Sequence, residues 1–293
     1  MDSPSRIEQS LAAAVERACT RSCPPLLAAA VRDAVFPGGA RIRPKLALAV
    51  ALACGDDDPA LTERAAAAVE LMHCASLVHD DMPCFDDAPL RRGRPSIHRA
   101  YGERIAVLTG DALIVLAFET LADGPVARPE RLGALAATLA QGVGMPGGIV
   151  AGQAWECEPQ VDLAEYHRAK TGALFAAAAA LGALAAGAAA RDWADFGARL
   201  GHAYQAADDI RDAAADAEKL GKPVGRDAAL GRPSLVATHG VRGALGHFEQ
   251  LVAQALHAVP ECRGAGRLRT MVRSEAERLV PKAWQGELAQ LAA

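Results

Sequence analysis

The chain has 293 residues, about half of them hydrophobic, with 35 acidic against 31 basic side chains and a net charge of −4. That length can bury a large core as one domain, and the acidic balance excludes the basic surface that a nucleic-acid binder needs. Aromatic residues make up only 4% while alanine is abundant, which favours closely packed helices over sheet, because Ala is the best helix former and a poor strand former.

In chain order, the N-terminal "MDSPSRIEQSL" lacks the basic stretch and apolar run of a secretion signal. Ser5 and Glu8 have the spacing of a capping box for a first helix. Seven scattered cysteines (Cys19, Cys23, Cys54, Cys74, Cys84, Cys157 and Cys262) form no CxxC pair and read as small apolar residues in a reducing cytoplasm. Gly, Pro and Asp punctuation predicts loops at 36–44, 54–60, 86–95, 122–130 and 220–233. Between them run helix-length segments, among them 60–82, 105–121, 163–187, 195–217 and 268–291. Residues 171–190 are long enough to span a bilayer, but their Ala and Gly partition weakly into lipid, so a buried helix is expected. No period-2 run of β-branched residues appears. The expectation is one all-α domain, residues 1–293.

The chemistry sits in two acidic clusters. "LVHDDMPCFDDAPLRRGRPSIH" (77–98) places Asp80, Asp81, Asp86 and Asp87 together, with Arg91 and Arg92 close behind. A kink near Pro83 would bring Asp86 round to Asp80. In "YQAADDIRDAAAD" (204–216), Asp208 and Asp212 are one helical turn apart and share a face with Gln205. Like charges at that spacing destabilise a bare helix. Both clusters are embedded in apolar helices, so they face a cleft where a bound cation must balance them. All-oxygen ligands suit Mg²⁺, which also recruits phosphate oxygens, and the arginines then suit a diphosphate.

These clusters resemble the DDxxxxD and DDxxD motifs of the trans-isoprenyl diphosphate synthases, standing here as Asp80-Asp81-Met82-Pro83-Cys84-Phe85-Asp86 and Asp208-Asp209-Ile210-Arg211-Asp212. The resemblance runs from "GGARIRP" to "GKPVGRD", and "FPGGARIRP" and "YHRAKTGALF" are most similar to the carotenogenic bacterial geranylgeranyl diphosphate synthases. It implies an all-helical bundle around a deep central cavity, working as a cytoplasmic homodimer. It implies three Mg²⁺ ions, held by Asp80 and Asp86 on one side and Asp208 on the other, and two substrates, isopentenyl diphosphate and an allylic diphosphate. Isopentenyl diphosphate would meet Arg43, His73 and Arg92. Arg91, Lys170, Thr171, Gln205 and Lys222 would serve the allylic diphosphate or the cation that forms from it. Asp81, Asp209 and Asp212 would orient ligands or hold metal-bound water. Gln153 and Glu156 would stand behind the metal ligands, Glu156 where Asp is usual. His79 is expected to be structural.

Two departures from the family pattern stand out. Ala40 replaces a lysine that binds isopentenyl diphosphate, a loss of about 1.5–3 kcal/mol unless another cation substitutes; Arg41 is the candidate. Arg232 stands where a late lysine is usual. Product length is expected to depend on Ala75 and Ser76, whose small side chains leave a tunnel open past fifteen carbons, with Leu71, Met72 and Phe118 as candidate floor residues. The expected product is geranylgeranyl diphosphate. The alternatives are a farnesyl diphosphate synthase and a non-catalytic subunit of a hetero-oligomeric synthase. A class I terpene cyclase would not need Arg43, His73 and Arg92, and an HD-type phosphohydrolase would need further histidine ligands.

Overall fold

The computed structural model describes residues 3–36, 38–125, 127–214 and 235–280. Helices account for nearly all of the regular structure: α1 (Ser3–Ala18), α2 (Pro25–Val35), α3 (Ile42–Cys54), α4 (Pro59–Asp80), α5 (Ile97–Tyr101), α6 (Glu103–Ala122), α7 (Leu132–Val143), α8 (Ile149–Trp155), α9 (Leu163–His167), α10 (Ala173–Ala185), α11 (Ala190–Ala214), α12 (Leu235–His257) and α13 (Ala265–Leu279). The only strands among the described residues are β1 (Leu90–Arg91) and β2 (Arg94–Pro95), an antiparallel pair in which Arg91 faces Arg94. The expected absence of more than trivial strand therefore holds for these residues.

Local chemistry explains the ends of the long helices. Asp58 caps α4 by accepting from the Leu61 amide (3.2 Å), with Pro59 at the first helical position. Gly55 closes α3 in the left-handed conformation (φ 115°). The proposed capping box does not form: α1 begins at Ser3, ahead of Ser5, and Glu8 reaches instead to Arg41 (2.7 Å). Residues 163–187 are likewise not one continuous α-helix, because a π-helical turn, Arg168–Gly172, separates α9 from α10.

Helices α4 and α10 form the centre. Against α4 lie α1, α2, α3, α6 and α10; around α10 lie α3, α4, α7 and α11. The Ala-rich stretch of α10 is buried almost throughout, as the sequence led us to expect. The helix among the described residues that is long and apolar enough to cross a membrane is instead α6, 44% of whose most apolar window is buried. A second, smaller core joins Ala206, Ala207 and Ile210 of α11 to Ala244, Leu245 and Phe248 of α12. The cysteines carry no disulfide, and burial pushes the Cys74 thiol up to about 12 and Cys54 up to about 11, which keeps both as inert packing groups.

Small residues set the spacing of the bundle. A Cβ on Gly182 would lie 2.2 Å from the Ala47 carbonyl oxygen, so α10 rests directly on the backbone of α3. Gly133, on the exposed side of α7, has nothing within 4 Å of such a Cβ. Gly182→Ala is therefore expected to lower stability in urea unfolding by about 1–3 kcal/mol through overpacking. Gly133→Ala is expected to raise it by up to about 1 kcal/mol through helix propensity.

Candidate active site

The first acidic cluster is folded by its own backbone. Helix α4 ends at Asp80, and the chain then turns back so that the Asp86 amide donates to the Asp80 carbonyl and the Ala88 amide to the Asp81 carbonyl, each at 3.0 Å. This reversal across Pro83 brings a carboxylate oxygen of Asp86 within 4.8 Å of one on Asp80. Glu156 completes the group: it belongs to the same set of three carboxylates, so it stands beside the two aspartates rather than behind them.

Glu156 gets there because α8 packs against the π turn. A Cβ on Gly152 would sit 2.4 Å from the Lys170 amide nitrogen, so only glycine permits the approach. Once there, Glu156 accepts from the Tyr166 hydroxyl (2.6 Å), from Gln153 Nε2 (3.1 Å) and from Lys170 Nζ. Lys170 also reaches Asp80 Oδ1 (3.4 Å) and lies over the Tyr166 ring. Burial raises the pKa of Asp80 from its ordinary value; Lys170 opposes that rise and Asp86 adds to it. A hard divalent cation fits this donor set, which consists wholly of carboxylate oxygens in a half-buried pocket.

Asp81 points the other way. Buried itself, it holds Arg91 in a two-pronged ion pair in which Arg91 Nε lies 3.0 and 3.1 Å from its two oxygens. Burial raises the Asp81 pKa against the opposing Arg91 charge; burial is also the largest influence on Arg91 and lowers it, but the hydrogen bond to Asp81 and the charges of Asp81, Asp80 and Asp86 together outweigh it and raise the guanidinium. The β1–β2 turn, with Arg92 (φ 54°) and Gly93 (φ 75°) both left-handed, then turns Arg92 back toward the Gly38–Gly39 loop. There Arg92 Nη1 donates to the Gly38 carbonyl.

Arg43 and Arg92 both lie near enough to His73 for their charges to act on it. His73 is held well below the ordinary histidine value, first by burial and then by the charges of Arg43, Arg92, Arg91 and Arg41. Arg43 stacks over the Phe175 ring (4.7 Å), and its buried Nε has no hydrogen-bond partner. Burial lowers the Arg43 pKa while Tyr204, Glu70 and Asp208 oppose the shift, so the Asp208 carboxylate acts on the same pocket. Arg41 does not substitute for the lysine missing at Ala40. Its side chain is buried, bonded to Glu8 (2.7 Å), Glu70 (2.8 Å) and the Val35 carbonyl (2.9 Å). Burial works against its charge, but Glu8 and Glu70 outweigh it and raise the pKa. Arg92 also stands beside this loop: a Cβ on Gly39 would lie 2.6 Å from its Cζ.

On the α11 side, Thr171 donates to Gln205 (2.6 Å), Gln205 to Asp209 (2.8 Å), and the Leu235 amide at the start of α12 to the other Asp209 oxygen (2.9 Å). Asp209 is therefore a buried brace between helices. His79, expected to be structural, faces α6, where a Cβ on Gly110 would lie 2.0 Å from its Nε2. Lys222 and Arg232 lie outside the described residues. Ala75 is buried and Ser76 half-buried, its hydroxyl donating to the His73 carbonyl (2.8 Å). Neither borders the apolar cavity of about 500 Å³ that Leu46, Phe175, Tyr204 and Phe248 help to line.

Residues 24–265 match the polyprenyl synthetase family. The chain belongs to that family. It is 55% identical over 276 residues to the geranylgeranyl diphosphate synthase of Cereibacter sphaeroides, covering 94% of this chain and 96% of that protein. It is 53% identical to the geranylgeranyl diphosphate synthase of Rhodobacter capsulatus, covering 94% and 95%. Among solved structures it resembles a geranyltransferase from Helicobacter pylori crystallised with magnesium and isoprenyl diphosphate, with a TM-score of 0.79, 30% identity and coverage of 88% and 90%. It also resembles a geranylgeranyl pyrophosphate synthetase from Pyrococcus horikoshii, with a TM-score of 0.76, 26% identity and coverage of 94% and 96%.

The His73 environment sets a pH dependence. Its folded pKa lies below the unfolded value of about 6.5, so the unfolded chain takes up the proton first. Stability associated with this group is present above about pH 6.5 and is lost as pH falls below it. In chemical unfolding between pH 7 and pH 5, His73→Gln is expected to flatten the acid-side fall by up to about 1.4 kcal/mol per pH unit. An unchanged slope would show that His73 is not the neutral buried group described.

Proposed function

We propose that this chain, acting as one domain, is a Mg²⁺-dependent head-to-tail prenyltransferase. It condenses isopentenyl diphosphate with dimethylallyl, geranyl or farnesyl diphosphate to give geranylgeranyl diphosphate. The observation that carries this reading is the pairing of two sites of opposite charge: the carboxylates Asp80, Asp86 and Glu156 on one side, and Arg43, His73 and Arg92 on the other. The likeness to geranylgeranyl diphosphate synthases over almost the whole chain supports the same activity.

Asp80, Asp86 and Asp208 would hold Mg²⁺, with Glu156 beside the first two and three ions as the proposed count; the metal would supply the Lewis acid that makes diphosphate a competent leaving group. Arg91, oriented by Asp81, and Lys170 balance the charge that grows on the leaving oxygens. Lys222 is assigned to the same diphosphate by the sequence motif. Thr171 and Gln205, hydrogen-bonded to one another, line the cation that remains at the allylic C1. Arg43, His73 and Arg92 hold isopentenyl diphosphate so that its double bond attacks that carbon, and the departing diphosphate takes the proton lost from the new C5 unit. A neutral His73 donates a hydrogen bond without adding another positive charge to the arginine cluster.

The proposed assembly is a homodimer. Val107, Leu108 and Val115 stand exposed on α6, Leu108 and Val115 two turns apart on one face, and a second copy of the chain is the proposed cover. The cytoplasm is the proposed location, in keeping with cysteines that carry no disulfide. The product feeds reactions that consume C20 prenyl diphosphates, with carotenoid synthesis as the proposed destination.

The test is to supply labelled isopentenyl diphosphate with each allylic primer and to size the dephosphorylated alcohols by chromatography. A C20 alcohol from farnesyl primer is expected, abolished by EDTA and reduced at least about 100-fold in Asp80→Asn, the scale of losing a charge-stabilising group. Ala75→Phe is expected to shift the end product to C15; a C20 product from that variant would remove Ala75 from the chain-length determinants. No elongation from any primer would favour the non-catalytic subunit.

A further inference from the structure

We infer that Lys170 makes divalent-cation binding at the Asp80–Asp86–Glu156 carboxylates depend on the arrival of a diphosphate. The inference rests on the metal-site reading above and adds a role for the lysine before any chemistry begins.

The lysine sits against carboxylates that a cation needs. Its ammonium lies 3.4 Å from Asp80 Oδ1 and directly against Glu156 Oε1. Both carboxylates belong to the set whose oxygens lie within 4.8 Å of one another. Lys170 is also tethered there rather than passing by. Its backbone is fixed in the π turn and pressed against Gly152, and its ammonium sits 5.7 Å from the centre of the Tyr166 ring. Glu156 is steadied from two other directions by Tyr166 and Gln153. The three carboxylates carry three negative charges when ionised, and Lys170 already faces two of them.

A divalent ion arriving alone therefore meets a fixed positive charge and must share or take over carboxylates that charge already faces. An ion arriving with a diphosphate meets a different balance. The anion gives the ammonium a new partner, and the carboxylate oxygens turn to the metal. Lys170 thus links the two ligands, and the link is reciprocal: whatever factor diphosphate adds to metal affinity, metal adds to diphosphate affinity. Glu156 in place of the usual Asp extends that carboxylate by one methylene, which suits it to hold Lys170 while standing beside Asp80 and Asp86.

The test uses Mn²⁺ as the probe ion and inorganic pyrophosphate as the probe anion, with the full-length protein. Free Mn²⁺ is followed by electron paramagnetic resonance, and matched protein-free titrations are subtracted. Pyrophosphate is expected to tighten Mn²⁺ binding to the parent protein at least about fivefold, the lower end of typical coupling between two sites. Lys170→Gln is expected to bind Mn²⁺ alone at least about fivefold more tightly than the parent and to gain less from pyrophosphate. Lys170→Arg, which keeps the charge, is expected to behave as the parent. Lys170→Met serves the same comparison if Lys170→Gln yields no folded protein by circular dichroism. A folded, charge-removed variant that binds Mn²⁺ alone no more tightly than the parent overturns the inference. Asp80→Asn separates the two readings. If it keeps parental Mn²⁺ affinity, the metal site itself is wrong and the inference falls with it. If it loses affinity while removal of the Lys170 charge changes nothing, only the inference falls.

Discussion

Helix α4 points its C-terminal end, the negative end of its dipole, at a crowd of carboxylates. That helix stops at Asp80, and Asp208, Asp209 and Asp212 stand on α11. Each aspartate at such an end is disfavoured by about 0.3–1 kcal/mol, before the cost of burial that raises Asp80 and Asp81. Cations must stand opposite, and most of the surrounding architecture supplies them. The β-hairpin exists to carry Arg91 to Asp81 and Arg92 to the Gly38–Gly39 loop. The π turn carries Lys170 to Asp80 and Glu156. Local irregularity of this kind is frequent at functional sites, and here it has an electrostatic cause.

The same constraint explains why neighbouring arginines have different fates. Arg41 sits at the N-cap of α3 in the left-handed conformation (φ 51°), which costs a non-glycine residue about 1–2 kcal/mol. Two carboxylates and a carbonyl hold it there. Its commitment to Glu70, a buried acid in the middle of α4, ties α1, α3 and α4 together and leaves Arg43, half a turn further on, to face the pocket over Phe175. One arginine makes the scaffold and the next belongs to the site.

Much of this was legible in the sequence, and the limits were physical. Alanine content and the lack of period-2 patterning gave the helical class, because propensity and patterning agree over so many residues. Spacing across Pro83 announced that Asp86 returns to Asp80. Arg41 was misread because a motif position says nothing of φ; a left-handed backbone turned the side chain toward the core. Ser5 and Glu8 matched a capping box, yet Glu8 gains more from a buried guanidinium than from a solvated helix end. How near Glu156 comes to Asp80 and Asp86 depends on the Gly152–Lys170 contact between two elements, which no local pattern encodes. The product tunnel was illegible for the same reason: free space is a property of several helices at once.

Close packing and charge placement are, in the end, one design. Glycines at 152, 182 and 201 let backbones approach to distances that any Cβ would forbid, so the helices bearing the charged groups have little room to slide. Thr171, Gln205 and Asp209 then run a hydrogen-bonded chain from the π turn through α11 to the Leu235 amide at the head of α12. Each link uses both a donor and an acceptor, so a shift of one helix breaks more than one bond. Lys170 lies one residue from the start of that chain and Asp208 one residue from its third member. The two acidic motifs, more than 120 residues apart in sequence, are therefore tied together by polar groups that bond to one another, and a reaction that depends on the placement of its groups gains from that rigidity.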